Sequence, residues 1–190
     1  GKAQVVTATN VFAHIDNADQ VVKDILKLMD QDGIFISESH YLLSILNELQ
    51  YDTIYHEHLR YYTLASIEFL LGKHGLEIFF AKRIPTHGGS IRVYAARKGQ
   101  MPISDDLLGI VEEEKAALTG DNLRRFRKRV VQSKLDLYKL VSGIKRENDR
   151  VAGIGAPSRA STMVSYVGLD AEIIDFVAEV SGSHKIGHYM

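Results

Sequence analysis

Two histidines, a glutamate and three tyrosines lie within nine consecutive residues, in the run Tyr55-His56-Glu57-His58-Leu59-Arg60-Tyr61-Tyr62-Thr63. An imidazole titrates near neutral pH, so that it can accept a proton from carbon or oxygen when a carboxylate lies beside it. Protein cores are rarely built from such side chains, and a polar surface turn that uses its tyrosines as caps is the alternative interpretation. The run predicts acid-base chemistry.

The composition is that of an α/β protein with one large or two small domains: 190 residues, 45% hydrophobic, 25% charged and a net charge of -1. This balance predicts no general attraction to nucleic acid or to an anionic membrane. Cysteine is absent, which excludes disulfides and thiolate zinc sites within these residues. No apolar run approaches the roughly 20 residues that span a bilayer, and no signal peptide is recognisable at the start. We therefore expect a cytoplasmic protein without a membrane partner.

The elements that must position this chemistry begin with a β-α-β unit. Residues 3–8 are β-prone, residues 16–19 form a turn and helix cap, and residues 33–38 read as a buried strand. Right-handed crossover packing makes the two strands parallel. His14 follows the first strand and residues 38–40 follow the second, at the edge where parallel sheets collect ligands.

A helix over residues 64–74, capped by Thr63, is predicted next. Residues 76–84 and 90–97 are β-prone and are joined by a short glycine-containing turn, which predicts an antiparallel hairpin. Two helices at 104–147 are expected to form a connector. Beyond them, a strand at 151–156, a helix at 158–166 and a strand at 172–177 predict a second parallel β-α-β unit.

Four ordered motifs, at residues 10–15, 55–62, 87–94 and 153–162, resemble the sugar C-methyltransferase family over nearly the whole chain. That family is best known for methylating C3 of nucleotide-linked 4-keto-deoxysugars with S-adenosylmethionine. Its members typically contain an N-terminal zinc module, a class I S-adenosylmethionine-dependent methyltransferase domain and a C-terminal Rossmann-like domain. The resemblance implies a nucleotide-linked sugar as substrate and S-adenosylmethionine as cofactor.

The resemblance also implies a domain plan. Residues 1–103 would be the C-terminal half of a methyltransferase (Rossmann-like) sheet that ends in an antiparallel hairpin. Residues 104–147 would be a helical connector, and residues 148–190 the beginning of the C-terminal Rossmann-like domain. No glycine-rich strand-turn-helix precedes Val5, so we expect a fragment that lacks half of the cofactor pocket and is inactive alone. Zinc is expected only in the N-terminal module.

The implied reaction removes a proton from the carbon beside a ketone, and the enolate then attacks the sulfonium methyl group. His58 is the first candidate for the general base, with Glu57 orienting it. Glu57 itself is the second candidate, and the sequence leaves the choice open because neighbouring side chains of an extended segment point to opposite sides. The family resemblance places Tyr55 against the sugar or the enolate oxygen, and His14 in the same pocket.

The remaining predicted contacts fall into two groups. Two residues are expected to contact the cofactor, namely Asn10 and Phe12. Four residues are expected to contact substrate, namely His87 and Ser90 at the cleft border and Ser158 and Arg159 near the nucleotide. For Ser158 and Arg159, a helix cap is the alternative role.

A noncatalytic nucleotide- or NAD-binding module is the alternative function. Residues 153–160 imitate part of a dinucleotide fingerprint, although the third glycine is replaced and no acidic ribose partner is evident. No metal site is predicted, because the histidine spacing of a helical zinc motif would require a histidine where Arg60 stands.

Overall fold

The computed structural model describes residues 1–188, and these residues form two compact units. The first unit consists of Gly1–Gln50 and Glu57–Leu123, and the second of Tyr51–His56 and the chain from Arg124 onward. The domain boundaries that the sequence predicts near residues 103 and 147 stay predictions.

The first unit contains four strands and four helices, and the start of a fifth helix. In chain order they are β1 (Ala3–Thr9), α1 (Ala18–Leu28), β2 (Met29–His40), α2 (Leu42–Asn47), α3 (Leu64–Gly72), β3 (Leu76–Ile84), β4 (Ser90–Arg97), α4 (Asp105–Ala117) and the beginning of α5 (Gly120–Arg146). The sheet order is β1-β2-β4-β3, with β1 parallel to β2 and the other two pairs antiparallel. The predicted parallel pair and closing hairpin are both confirmed.

Side-chain caps begin α1 and α3 where the sequence predicted them. The Asn17 side chain accepts a hydrogen bond from the Gln20 N–H at the start of α1. Thr63 and Ser66 form a reciprocal capping box at the start of α3. These bonds satisfy main-chain donors that the first helical turn leaves without partners.

The core of the first unit lies between the sheet and the helices that cover it. Val22 from α1, Phe35 from β2 and Leu71 from α3 are almost completely buried in this cluster. Leu107 of α4 belongs to the same cluster, so α4 packs on the first unit. The helical connector over residues 104–147 stays a prediction.

Two features of the first unit differ from the sequence-based prediction. The strand predicted at residues 33–38 extends over Met29–His40, because β1 pairs with it from Ala3↔Met29 to Thr9↔Glu38. The short helix α2 was not predicted, since Leu42–Asn47 is too brief to show a helical period in sequence.

The second unit is built around the rest of α5 and a small parallel β-α-β unit. Its elements are β5 (Ala152–Ile154), α6 (Ser158–Val167) and β6 (Phe176–Ala178). Parallel pairing of β5 with β6 confirms the predicted topology, although β6 starts four residues later than expected. Val141 of α5 and Val167 of α6 are buried together in its small apolar cluster.

Candidate active site

The register of the sheet brings the ends of β1, β2 and β3 and the start of β4 to one edge of the first unit. Thr9 at the end of β1 lies opposite Glu38, and His40 at the end of β2 lies opposite Ser90. Ser90 in turn pairs with Ile84, the last residue of β3. Residues that follow β1, β2 and β3 are therefore neighbours, as expected for the carboxyl edge of a parallel sheet.

Three imidazoles gather at this edge. The ring centroid of His58 lies 5.1 Å from that of His14 and 6.3 Å from that of His40. The ring of Tyr61 lies 6.1 Å from His58. His58 is half-buried and His14 is exposed. Three side chains that can accept or donate a proton and a phenol are thus close together.

The segment that carries His58 is anchored to the loop after β1. The Leu59 N–H donates to the carbonyl oxygen of Ala13 at 2.8 Å. The guanidinium of Arg60 donates to the carbonyl oxygens of residues 15 and 16, the second at 2.6 Å. Arg60 therefore holds two chain segments together, since one planar group satisfies both carbonyls.

The side chain of His14 completes this anchoring. Its Nδ1 lies 2.9 Å from the main-chain carbonyl oxygen of Glu57. The Glu57 residue is exposed, and its main chain, not its carboxylate, makes the described contact to His14. The structure thereby brings His14, Glu57 and His58 together, as the sequence predicted for neighbouring site residues.

A buried ion pair lies at the end of β2. The side chain of Glu38 is 4% exposed and accepts two hydrogen bonds from Arg92, at 3.0 and 2.7 Å. Its other oxygen accepts from the Thr86 hydroxyl at 3.1 Å. Hydrogen bonding to Glu38 raises the pKa of Arg92, so the guanidinium stays charged. One carboxylate oxygen of Glu38 accepts both bonds from Arg92 and the other accepts from Thr86, so Glu38 ties β4 and the hairpin loop to the site edge.

The hairpin loop is also tied to β2 through Gln50. The Gln50 amide donates to the Gly88 carbonyl oxygen at 2.6 Å and lies 3.0 Å from His40 Nε2. Gly88 has a positive φ of 80°, and a Cβ there would meet the Gln50 amide nitrogen at 2.6 Å. Glycine at this position therefore does more than turn the chain, because it also makes room for the amide.

Three predicted ligand contacts lie at or near this edge. Asn10 follows β1 with a positive φ of 54°, and its N–H donates to the carbonyl oxygen of Glu38 at 2.9 Å. His87 is exposed on the hairpin loop and also has a positive φ, of 53°. Ser90 is fully buried, and its hydroxyl donates to the Thr86 carbonyl oxygen, a bond that closes the hairpin loop.

The predicted cofactor residue Phe12 lies in the core. Its ring packs 6.0 Å from Phe35 and 6.4 Å from Tyr62, and the residue is 3% exposed. The structure thus describes packing for Phe12, and its contact with cofactor stays a prediction.

The other predicted residues belong to the second unit. Tyr55 contacts the ring of His56 at 5.7 Å. Arg159 forms a bidentate ion pair with Asp52, at 3.0 and 2.9 Å. Ser158 is exposed at the first position of α6. The roles of Tyr55, Ser158 and Arg159 stay predictions.

Ser158 also lines a cavity of about 570 Å³ in the second unit. Glu179, directly after β6, lies in the same cavity wall and accepts a hydrogen bond from the Ala156 N–H at 3.0 Å. That hydrogen bond lowers the pKa of Glu179. The sequence interpretation found no acidic ribose partner, but the structure places Glu179 where a dinucleotide site carries one. An acidic residue immediately after the second parallel strand was the missed signal.

Within residues 1–188, no helix is long and apolar enough to cross a membrane. The same residues contain no group of three histidine, aspartate or glutamate side chains arranged to hold a metal ion.

Comparison with known proteins identifies the family. The family model of the C-methyltransferase C-terminal domain matches residues 85–190, which are more than half of the chain. The chain belongs to the C-methyltransferase family. C-methyltransferase NovU from Streptomyces niveus is 31% identical over 185 residues, which cover 95% of this chain and 44% of that protein. The C-methyltransferase family member described here therefore spans less than half the length of that relative.

Solved structures resemble the C-methyltransferase chain more distantly. A magnesium protoporphyrin IX methyltransferase from Synechocystis, solved with bound SAH, is 20% identical with a TM-score of 0.41 and covers 52% of this chain and 46% of its own. An S-adenosylmethionine-dependent methyltransferase from Clostridium acetobutylicum is 15% identical with a TM-score of 0.40, covering 52% and 59%. Because both scores lie below 0.5, the family assignment rests on the sequence comparisons.

Sequence reasoning missed three residues that organise the site in the first unit. Arg60 was noted only as the residue that breaks a zinc motif, and His40 only as part of a polar strand end. Gln50 gave no signal, because a lone glutamine in a loop matches no motif. Their contacts join residues 10 to 44 positions apart in sequence and become visible only after folding.

Proposed function

We propose that the whole protein is a cytoplasmic, S-adenosylmethionine-dependent C-methyltransferase that acts next to a ketone of a nucleotide-linked deoxysugar. The observation that carries this proposal is the position of His58, half-buried beside His14 and His40 at the carboxyl edge of the sheet, in a chain of the C-methyltransferase family. Carbon methylation beside a ketone requires a positioned base, and this cluster supplies one.

His58 is the proposed base. One of its ring nitrogens takes the proton from the carbon beside the ketone, and the electron pair of that C–H bond moves into the enolate. S-adenosylmethionine, when bound, supplies the methyl group. Arg60 keeps His58 in place through contacts to main-chain carbonyls. The ring centroid of His14 lies 5.1 Å from that of His58, and we propose that His14 hydrogen-bonds a hydroxyl of the same sugar.

Glu57 remains the second candidate for the base. The Glu57 residue is exposed, whereas His58 is half-buried. A base works best where its geometry is fixed, which favours the half-buried imidazole. The two candidates make different predictions for single substitutions.

Further contacts belong to the same proposal. In the first unit, we propose Asn10 at the cofactor, and His87 with Ser90 at the substrate border. Asn10 follows β1 at the functional edge, where a polar amide fits the ribose or amino acid part of S-adenosylmethionine. We propose that Phe12 supports the contact between Asn10 and the cofactor by packing in the core beneath it.

In the second unit, we propose that Ser158 and Arg159 serve the nucleotide of the substrate. Ser158 lines the cavity of about 570 Å³, a volume typical of small-molecule sites. The Arg159 guanidinium is paired with Asp52, and we propose that it serves the nucleotide by keeping the start of α6, and with it Ser158, in place. Tyr55 is proposed to hydrogen-bond the sugar or the enolate oxygen.

The test is an exchange and transfer assay on the whole protein. The substrate carries deuterium on the carbon next to the ketone, and loss of deuterium is followed separately from methyl transfer. His58→Ala is expected to slow both by about a hundredfold or more, the usual contribution of a general base. Glu57→Gln is expected to reduce the rate far less.

His56→Ala is the matched control, because His56 is an exposed imidazole of the same motif that lies outside the first unit. We expect it to retain exchange within a few-fold of the original protein. Unchanged deuterium exchange in His58→Ala, or full loss in Glu57→Gln alone, would assign the base to another residue.

Nucleotide binding without catalysis is the second candidate function, and Glu179 is the observation that favours it. Titration with NAD distinguishes the two: NAD binding that is lost in Glu179→Ala and unaffected by His58→Ala supports a binding module. Nucleotide-linked sugar binding that weakens in His58→Ala supports the methyltransferase.

A further inference from the structure

The hydrogen bond of His14 determines which of its ring nitrogens carries hydrogen. A main-chain carbonyl oxygen only accepts hydrogen bonds, and the carbonyl of Glu57 lies 2.9 Å from His14 Nδ1. Nδ1 must therefore be the donor. In the neutral ring, Nε2 then carries no hydrogen and offers its lone pair.

His40 is constrained in the opposite sense, through Gln50. The carbonyl oxygen of Gly88 accepts from the Gln50 amide nitrogen at 2.6 Å, which determines the orientation of the amide. The amide oxygen of Gln50 consequently lies at 3.0 Å from His40 Nε2 and must accept from it. The neutral ring of His40 carries its hydrogen on Nε2.

We propose that His14 and His40 are held in opposite neutral tautomers beside His58, and that His40 and Gln50 are positioning residues of the proton-transfer site. The tautomers follow from the hydrogen bonds alone, whereas the effect on catalysis rests on the proposed function. A ligand would then meet a predetermined acceptor on His14, which suits a hydroxyl group and disfavours a second acceptor in its place.

The positioning role has a structural basis. Gln50 joins His40 to the hairpin loop that carries His87, so one amide restrains two parts of the site. Gly88 provides the space for this amide, because a Cβ there would meet it at 2.6 Å. Loss of the amide therefore removes one restraint on the ring of His40 and one restraint on the loop at the same time.

The tautomers can be measured directly in the 190-residue chain by multiple-bond proton–nitrogen correlation NMR, at a pH near 8.5 where histidine rings are mostly neutral. His14→Gln and His40→Gln assign the signals. We expect the Nδ1–H pattern for His14 and the Nε2–H pattern for His40. The Nδ1–H pattern for His40, or a mixture of both patterns for either ring, overturns the proposal.

Substitution of Gln50 tests the link between the amide and His40. Gln50→Met removes donor and acceptor at similar size, and it should reduce the Nε2–H fraction of His40 while His14 is unchanged. Gln50→Glu keeps an acceptor for His40 Nε2 and should retain its pattern. Gln20→Met is the control, because the Gln20 side chain donates to Asp24 on the exposed face of α1. An unchanged His40 in Gln50→Met contradicts the link.

Kinetics of the whole protein test the catalytic consequence. Gln50→Met is expected to lower kcat about tenfold, the value of one well-placed hydrogen bond, and to change KM less than about twofold. Gln50→Glu should restore part of kcat, and Gln20→Met should leave it unchanged. An unchanged kcat in Gln50→Met refutes the positioning role. If the original protein transfers no methyl group while the NMR patterns are as expected, the proposed function fails and the tautomers stand.

Discussion

Glu114 joins α4 to the beginning of α3, and its replacement is the sharpest test of how the first unit is held together. The residue is 4% exposed, and its carboxylate accepts three hydrogen bonds. The donors are the Tyr41 hydroxyl at 2.9 Å, the Leu64 N–H at 2.6 Å and the Ala65 N–H at 2.9 Å. An anion at the start of α3 also interacts favourably with the helix dipole.

The expected cost follows from the groups that lose their partner. Glu114→Ala leaves a buried hydroxyl and two main-chain N–H groups without an acceptor, and breaking such a buried network costs about 3–5 kcal/mol. Glu114→Gln keeps one acceptor oxygen but turns an NH₂ group toward a donor, so we expect about 2 kcal/mol. Domains are typically stable by about 5–15 kcal/mol, and the alanine variant should therefore be marginal.

Urea unfolding followed by circular dichroism measures these free energies. Glu113→Gln is the matched control, since the neighbouring Glu113 side chain is 54% exposed and pairs with Arg83 at 2.9 Å. An exposed pair of this kind contributes less than about 1 kcal/mol. If Glu114→Ala unfolds within about 1 kcal/mol of the original protein, or if it matches Glu113→Gln, the carboxylate does not hold α3 and α4 together.

Three further predictions concern pH and backbone conformation. Burial, and then its hydrogen bond to Glu114, raises the pKa of Tyr41 above its usual value of 10.0, so stability is complete below that pH and falls as pH rises beyond it. Urea midpoints between about pH 8 and pH 11 should show this fall, reduced in Tyr41→Phe. Gly88→Ala should cost more free energy of unfolding than Gly99→Ala, because both residues have a φ near 80° but a Cβ has open space only at Gly99; equal losses would remove the steric argument. A main-chain hydrogen bond, with a lysine contact second, lowers the pKa of Asp175, so its contribution is present above about pH 3.8 and lost as pH falls further; Asp175→Asn should flatten the acid limb of thermal unfolding curves, and an unchanged limb would contradict this.

Local signals in the sequence predicted most elements of the fold. Thr63 marked the start of a helix because its hydroxyl caps a main-chain N–H three residues later, a purely local interaction. The hairpin strands were predicted with their observed bounds, since short β-prone runs on both sides of a glycine turn leave few alternatives. Boundaries failed where pairing over long sequence distances decides them, as at the start of β2, which is set by Ala3↔Met29.

The candidate site was predictable in composition but not in arrangement. His14 and His58 stood out because imidazoles after strands and beside carboxylates are suited to proton transfer. Their approach to 5.1 Å depends on contacts between segments more than forty residues apart, including that of His14 with the Glu57 carbonyl. No local pattern encodes such a contact.

By itself, the sequence determined the types of side chain, the strand-helix order, the parallel first pair and the family of motifs, because periodicity, caps and turns act within a few residues along the chain. Only the tertiary structure decided that Gln50 orients His40, that Arg60 anchors the segment of His58, and that Glu179 follows β6 at a cavity. Hydrogen bonds between distant segments form when the sheet register is complete, and the register depends on the packing of the whole unit.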